Sequence, residues 1–329
     1  MIDSTYQYQL QKYRGMRTRH ECPECEKAGK FTRYIDTVTG ELLPDKYGKC
    51  ERLDNCGYHL NPYKDGYHLG LSTNATMQVS VKPERGPIYL PKTIYERSLK
   101  GYQHNTFTKY LIKLFGANKA SELVQRFFIG NSSYWKGATV FWIIMPDGKI
   151  AGGQVILFDE HGHTMKTKKS DGSIYRHNSW VHTALIRKYK NERKPVPQWL
   201  KDYSKHSNKS PVPFGLPQIY LEPDKPVAVV ESAKTAIIAS GYVPQFNWLA
   251  IGGASYLNSV YRIKPLEGKD IILFPDKGQY KAWSQKARDY DHLANFKVSD
   301  LLERMNADDG SDLVDYLVRI DHRDFIENK

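Results

Sequence analysis

Residues Val227–Ala236 read VAVVESAKTA. The opening run of small apolar residues is of the kind a strand buries on both faces, as strands of parallel sheets do. It ends in one acid, Glu231. Ser232 follows, and Lys234 and Thr235 begin a helical stretch. A carboxylate at the carboxyl end of a strand, beside a helix N-terminus, is a position where open α/β folds place chemistry. Two later stretches share this grammar, Phe246–Gly253 (FNWLAIGG) and Lys269–Gly278 (KDIILFPDKG).

Outward from that run, strands alternate with helices. Val227–Glu231 is an expected strand and Ala233–Ser240 a helix closed by Gly241. Phe246–Ile251 and Asp270–Phe274 are strands, followed by helices around Tyr256–Ile263 and Gln279–Tyr290. Phe296–Leu301 offers a fourth strand and Ser311–Ile320 a closing helix. Such alternation predicts a mostly parallel sheet with right-handed crossovers. Glu231, Gly252–Gly253 and Asp276 then share its carboxyl edge. Glu231 and Asp276 can converge on one divalent ion. Hard carboxylate oxygens without His or Cys suit Mg²⁺ or Mn²⁺. Asp312, from GSDLVDYL, can add a third carboxylate, with Asp308 and Asp309 as nearby substitutes, and Lys234 can contact a phosphate. No G-x-x-x-x-G-K-[ST] is present, so an intrinsic P-loop motor is not expected.

The four cysteines all lie near the N-terminus, Cys22, Cys25, Cys50 and Cys56, spaced C-x2-C-x24-C-x5-C. Thiolates on a Cys-x2-Cys knuckle grip one ion from two sides, and a second pair closes a tetrahedral zinc site. Two disulfides or four free thiols are the alternatives. His20 and His59 flank the site, and a four-cysteine site needs neither. Phe31–Asp36 alternates and Val38–Leu43 contains a TG turn, which predicts a hairpin, and residues 1–19 form a basic, Tyr-rich lead-in.

Between these ends, Pro91–Gly101, Thr106–Phe115 (closed by Gly116) and Asn118–Phe128 have helical spacing. ATVFWIIM, PDGK and IAGGQVILF, from Ala138 onward, predict an antiparallel meander. Two cationic clusters follow. Lys166, Lys168 and Lys169 form one; Arg187, Lys188 and Lys190 belong to the other, RKYKNERK. With Tyr175, Trp180, Tyr189 and Trp199 nearby, they can line a groove for a single strand, or be an ordinary solvated face. Lys194–Pro226 is proline-rich and leads into the last domain.

Lys and Arg total 48 against 36 acids, a formal charge of +12. That surplus favours a polyanionic partner, first of all nucleic acid. Hydrophobic residues make up 40% and mean hydropathy is −0.60. No stretch approaches the ~20 apolar residues of a membrane span. MIDSTYQYQLQKYRG lacks the apolar core of a secretory signal, so a cytoplasmic location and no membrane partner are expected.

The order Glu231, then Gly252–Gly253, then Asp276 resembles the Toprim domain of primases and topoisomerases, over roughly Val227–Leu317. The cysteine framework resembles the zinc-binding domain of bacterial and phage primases of the DnaG type. The whole arrangement, including VESAKTAIIAS and FPDKGQYKAW, resembles primase-like proteins of mobile elements in Bacteroidota. One departure stands out. The family's DxD sequence here reads Asp276-Lys277-Gly278, so the second acid is missing.

The fold expectation is a multi-domain α/β chain. A β-rich zinc ribbon (1–66) and a linker (67–90) precede a basic α+β middle domain with the meander (91–213), and a Toprim-like parallel sheet flanked by helices (214–329) follows. The resemblance implies a DNA primase, a nucleotidyltransferase acting on single-stranded DNA with structural Zn²⁺ and catalytic Mg²⁺ or Mn²⁺, served by a separate helicase. Glu231, Asp276 and Asp312 are its implied catalytic residues. The alternatives are a non-catalytic Toprim-like accessory protein that recruits replication or mobilisation partners, and a Toprim nuclease.

Overall fold

A computed structural model describes residues 6–52, 56–67, 87–253, 257, 259–306 and 308–327. The chain divides into two compact units, Met1–Glu84 and Arg85–Lys329. Of the linker expected at 67–90, residues 68–86 lie outside the described residues.

The first unit is one antiparallel sheet of β1 (Tyr8–Leu10), β2 (Phe31–Asp36), β3 (Gly48–Cys50) and β4 (His59–Leu60), in that order. The expected hairpin turns back after β2, where Ile35 bridges Leu42. Gly40 takes the positive φ of 77° that the turn needs. The lead-in is more than a basic arm. Its YQYQL alternation has the period of a strand, and β1 pairs with the outer edge of β2, Tyr8 opposite Asp36. Tyr8 is thereby buried with Tyr34, Leu43 and Tyr47 in a small core.

The second unit opens with α1 (Lys92–Ser98) and α2 (Thr106–Arg126). Helix α2 is two helices run together, broken at Gly116 with φ 76° and ψ 168°, the position where the sequence predicts a stop. Asn105 caps it, accepting from Thr108 N at 2.8 Å, and the same oxygen accepts from the Thr139 hydroxyl at 3.0 Å. The meander forms as β5 (Gly130–Ser132), β6 (Ala138–Ile144) and β7 (Ile150–Ile156). The lysine stretch leaves it as a separate hairpin, β8 (Lys166–Lys168) with β9 (Ile174–Arg176). β10 (Asn178–Trp180) returns to the edge of β7, which gives the order β10-β7-β6-β5.

Helix α3 (Val181–Asn191) carries the second cationic cluster. The proline-rich stretch beyond it is not simply a connection. Pro197 and Pro217 stand at the N-caps of α4 (Gln198–His206) and α5 (Gln218–Leu221). Proline's fixed φ suits a helix start as well as a loop. Tyr203 of α4 is fully buried and donates to the Ala151 carbonyl of β7 at 2.6 Å. Next to it, a Cβ added at Gly152 would lie 2.1 Å from the Lys209 carbonyl oxygen. Backbone cannot swing aside as a side chain can, so Gly152→Ala is expected to cost about 1–3 kcal/mol. The measurement is the urea midpoint; an unchanged midpoint would show that the Lys209 segment yields freely.

The remainder is β11 (Val227–Val230), α6 (Ala233–Tyr242), β12 (Asn247–Ala250), α7 (Val260–Ile263), β13 (Asp270–Leu273), α8 (Tyr280–Asp289) and β14 (Asn295–Val298). Three short helices close it, α9 (Leu301–Arg304), α10 (Leu313–Leu317) and α11 (His322–Glu327). The sheet is parallel throughout, in the order β12-β11-β13-β14. All four residues of β11 are at 0% exposure, as its unbroken apolar run requires.

Gly241 does not close α6; it lies inside the helix. A Cβ there would sit 2.5 Å from the Phe115 ring of α2, so close helix packing accounts for the glycine. One apolar core joins the meander to the parallel sheet. Phe127 stacks on Phe214 at 5.7 Å, and Phe214 meets the edge of Phe141 at 5.6 Å. Among the described residues, no helix is long and apolar enough to cross a membrane.

Candidate active site and metal centre

The cysteine site is built by β3 and two turns. Cys50 ends β3, and Cys22 and Cys25 lie on the turn in which Glu26 N donates to Cys22 O at 2.8 Å. Cys56 is held by its own N–H to Arg52 O at 2.8 Å. All four cysteines are free, with no disulfide among them. Their sulfurs lie within 4.8 Å of one another, with Cys22 to Cys56 at 3.7 Å and Cys25 to Cys50 at 4.0 Å. A thiolate tetrahedron with Zn–S bonds of about 2.3 Å has edges of about 3.8 Å, so the donor set fits zinc. His59 stacks on Tyr34 and shares a 3.0 Å hydrogen bond with its hydroxyl, and His20 faces Gln11 at 3.2 Å. Neither ring is among the clustered ligands.

The second cluster forms at the carboxyl edge of the parallel sheet. Glu231 follows the central strand β11, Gly252–Gly253 follow β12 and Asp276 follows β13, the two strands that flank β11. Gly252 N donates to Glu231 O at 2.8 Å, which pins the glycine turn to the acid's backbone. Asp312 arrives from the N-cap of α10. One of its oxygens accepts from Val314 N at 2.8 Å and Asp315 N at 3.1 Å. The other accepts from the Thr235 hydroxyl at 2.9 Å and pairs with Lys234 Nζ at 3.3 Å.

These charges meet on Asp276. Burial raises its carboxyl from 3.8 to about 7, the charges of Glu231 and Asp312 push the same way, Lys234 partly opposes them, and Asp315 adds a little. Glu231, Asp276 and Asp312 gather beside Lys234, and the donors are hard oxygens, the chemistry that a divalent cation of the Mg²⁺ or Mn²⁺ kind fits. The carboxylates are looser than the cysteines. Among the described residues only the cysteines gather their ligand atoms within 4.8 Å.

The missing second acid has a physical counterpart. Gly278 has φ +88°, a conformation that side chains disfavour, and a Cβ there would lie 3.9 Å from Asp309 Oδ1. Two backbone bonds hold the loops together, Lys277 N to Ser311 O at 3.0 Å and Gly310 N to Lys277 O at 3.1 Å. Lys277 spends its ammonium on the Met305 carbonyl at 2.6 Å. Glu303 accepts from Gly278 N at 2.9 Å and Tyr280 N at 3.3 Å, which orients the turn after Asp276.

Other contributors had no sequence signal. Arg262 is buried at 2% exposure and donates to the carbonyls of Ile251 and Ser210, fixing the strand end just before the glycines. Tyr110, from α2, lies close enough that burial and then the charges of Asp312 and Asp315 raise its pKa.

The basic residues sort differently. Lys168, Lys169 and Arg187 line one surface cleft, and Arg187 and Lys188 line another; Lys166 and Lys190 line neither. Of the aromatic residues named with them, Tyr175 lines a cleft, while Trp199 packs on the core around Trp142 and Tyr203. Trp180 and Tyr189 line neither cleft.

The family model described as Domain of unknown function (DUF6371) matches residues 105–277, just over half of the chain. The chain belongs to the DUF6371 family. The DUF6371 match contains Glu231, Lys234 and Asp276 and stops short of Asp312. A zinc beta-ribbon finger model matches residues 6–68. With the four converging cysteines, that makes the first unit a zinc ribbon with a structural zinc site.

No curated protein matches the chain. Among solved structures, the E. coli primase catalytic core is similar at 14% identity and TM-score 0.38, covering 72% of this chain and 78% of that one. The DnaG primase catalytic domain bound to ssDNA is similar at 16% and 0.39, covering 72% and 76%. The RNA polymerase domain of Mycobacterium tuberculosis primase DnaG with double-stranded DNA is similar at 13% and 0.36, covering 71% and 76%.

Proposed function

We propose that this DUF6371 chain is a primase-like nucleic-acid-binding protein that synthesises, or supports the synthesis of, primers on single-stranded DNA during replication or mobilisation of a mobile element. The observation that carries this reading is the convergence of Glu231, Asp276, Asp312 and Lys234 at one parallel-sheet edge, with the Asp276 carboxyl raised to about 7. The edge is Toprim-like in its order of acid, glycines and acid. The zinc ribbon and the +12 charge supply the accompanying means of holding a polyanion.

In this reading Glu231, Asp276 and Asp312 hold Mg²⁺ or Mn²⁺, with Asp309 beside Gly278 in place of the absent acid. Bound there, the ion lowers the pKa of a 3′-hydroxyl and neutralises charge on the phosphoryl group being transferred. The protein's own residues prepare the site. Asp276 gives up its carboxyl proton as cation arrives. Lys234 leaves Asp312 and turns its ammonium to a triphosphate. Lys277 directs its ammonium to Met305 O. Without a P-loop, strand separation falls to a separate helicase.

The test is primer synthesis by purified protein on single-stranded templates with NTPs and Mg²⁺ or Mn²⁺. Glu231→Gln is expected to lower the rate at least about 100-fold, equivalent to about 2.7 kcal/mol of transition-state stabilisation. Gly278 favours a second reading, an accessory protein without catalysis that recruits replication or mobilisation partners. That reading takes over if no template yields primer and Glu231→Gln supports the host element as well as wild type does.

A further inference from the structure

The two clefts on the meander side of the second unit are one surface. The first, of about 610 Å³, lies between α1, the turn after β5 and α3. The second, of about 420 Å³, lies along the β8–β9 hairpin. Trp135 and Arg187 line both. Around Trp135 stands a group of half-buried rings. Tyr134 is 4.4 Å away between centroids, His177 5.2 Å and Tyr175 6.4 Å, all tilted or edge-on. None of the three is stacked face to face on Trp135. Cations stand over the same rings. Arg187 lies 5.7 Å above Tyr134 and donates to its hydroxyl at 3.1 Å, and Lys169 lies 5.6 Å above Tyr175.

We infer that this joined trough, centred on Trp135, binds unpaired single-stranded nucleic acid by stacking bases on its rings and seating phosphates on Lys168, Lys169 and Arg187. The inference rests on the nucleic-acid part of the proposed function and does not depend on catalysis. Charge supports it. Arg97, Arg187 and Lys188 line the first cleft against one acid, Glu192, which pairs with Lys194 at 2.9 Å and Lys188 at 3.9 Å. The second cleft has cations and no acid in its lining. Alternating rings and cations are what a sequence-tolerant single-strand site needs, because every base has a π face.

The polar floor of the first cleft argues against base-edge readout. Ser98 Oγ donates to Tyr95 O at 2.6 Å and accepts from Trp142 Nε1 at 3.0 Å. The Asn131 amide donates to Lys100 O at 2.8 Å, and its oxygen accepts from Asn105 at 2.7 Å. Ser132 Oγ accepts from Tyr134 N at 3.2 Å. With these groups engaged at home, few polar atoms of this floor are left to read base edges.

The test is fluorescence anisotropy of a labelled oligo-dT and a blunt duplex with the full zinc-loaded chain, without NTPs. Trp135→Ala is expected to weaken single-strand binding about 5- to 150-fold, with duplex binding within about twofold of wild type, because stacking is worth about 1–3 kcal/mol per base. Trp135→Phe retains most of the affinity. Should Trp135→Ala fail to fold, Lys168→Ala with Lys169→Ala decides. It reduces the slope of log affinity against log salt by about 1.4, two phosphates at about 0.7 each. Photocrosslinks from iodouracil-substituted oligonucleotide are expected at Trp135 or Tyr175. Wild-type affinity in the foldable variants, or crosslinks confined to other residues, overturns the inference. Absent primer synthesis and a dispensable Glu231, with an intact Trp135 effect, sink the primase reading and leave this one standing.

Discussion

Withdrawing zinc, or replacing Cys50 with serine, is expected to unfold the ribbon outright rather than weaken it. The reason lies in how little else holds it. Its strands run three, six, three and two residues, too short for a sheet to be stable alone. Its apolar core is Tyr8, Tyr34, Leu43 and Tyr47, and the other cluster is made of the cysteines themselves around Phe31. A unit this small needs a metal or a cross-link to offset chain entropy. Zinc contributes about 10–16 kcal/mol to folding in small zinc domains, more than such a core supplies. Cys50 is at 0% exposure at the end of β3 and opposite Phe31, so its loss breaks the site and the sheet together. The expected result is one zinc per chain by elemental analysis. A strong chelator or Cys50→Ser should then bring rapid proteolysis within residues 6–67 and loss of that unit's dispersed amide signals. A chelated protein with zinc gone and the ribbon still protease-resistant would refute it.

The sequence pattern carries the parallel sheet because its strands are buried on both faces, and an apolar run such as VAVV has few other uses. It also carries the stop at Gly116, where a glycine interrupts a helical period. It misleads where one residue type serves two physical purposes. Gly241 looks like a helix end and is a contact with the Phe115 ring. The prolines at 197 and 217 look like linker and start helices. The site is legible as far as it sits on strand ends, because Glu231 and Asp276 take their position from the sheet's regularity. Glu303 on the turn amides and Arg262 under the glycine turn are brought in by loops and short helices. No periodicity places such residues. Trp135 belongs to the same class. It follows a short edge strand, and only the return of the β8–β9 hairpin gives it a cluster of rings.

Asp276→Asn is expected to stabilise the metal-free protein, and by an amount that depends on pH. The native carboxyl titrates at about 7 against an ordinary 3.8, so between those values the native state holds a proton that the unfolded state has lost. Stability therefore falls as pH rises through that window, and levels off above about 7. Asparagine cannot ionise, so it removes the loss. At pH 8 the variant should gain about 2 kcal/mol, allowing for solvent screening and for Lys234, or about 4–8 °C in melting temperature. At about pH 3 the two proteins should melt close together, since the wild-type carboxyl is then mostly neutral in both states. A divalent cation reverses the order. Mn²⁺ or Mg²⁺ bound to the carboxylate set favours ionised Asp276, so either ion should raise the wild-type midpoint at pH 8 and leave Asp276→Asn nearly unmoved. Asp309→Asn discriminates further. If Asp309 fills in for the acid missing at Gly278, this change lowers the metal-induced shift while the metal-free midpoint stays put. The pattern to look for is thus a gain without metal and a deficit with it. A uniform loss at every pH, with wild-type metal response, would mean that Asp276 is only a turn residue after Pro275 and that the edge binds no cation.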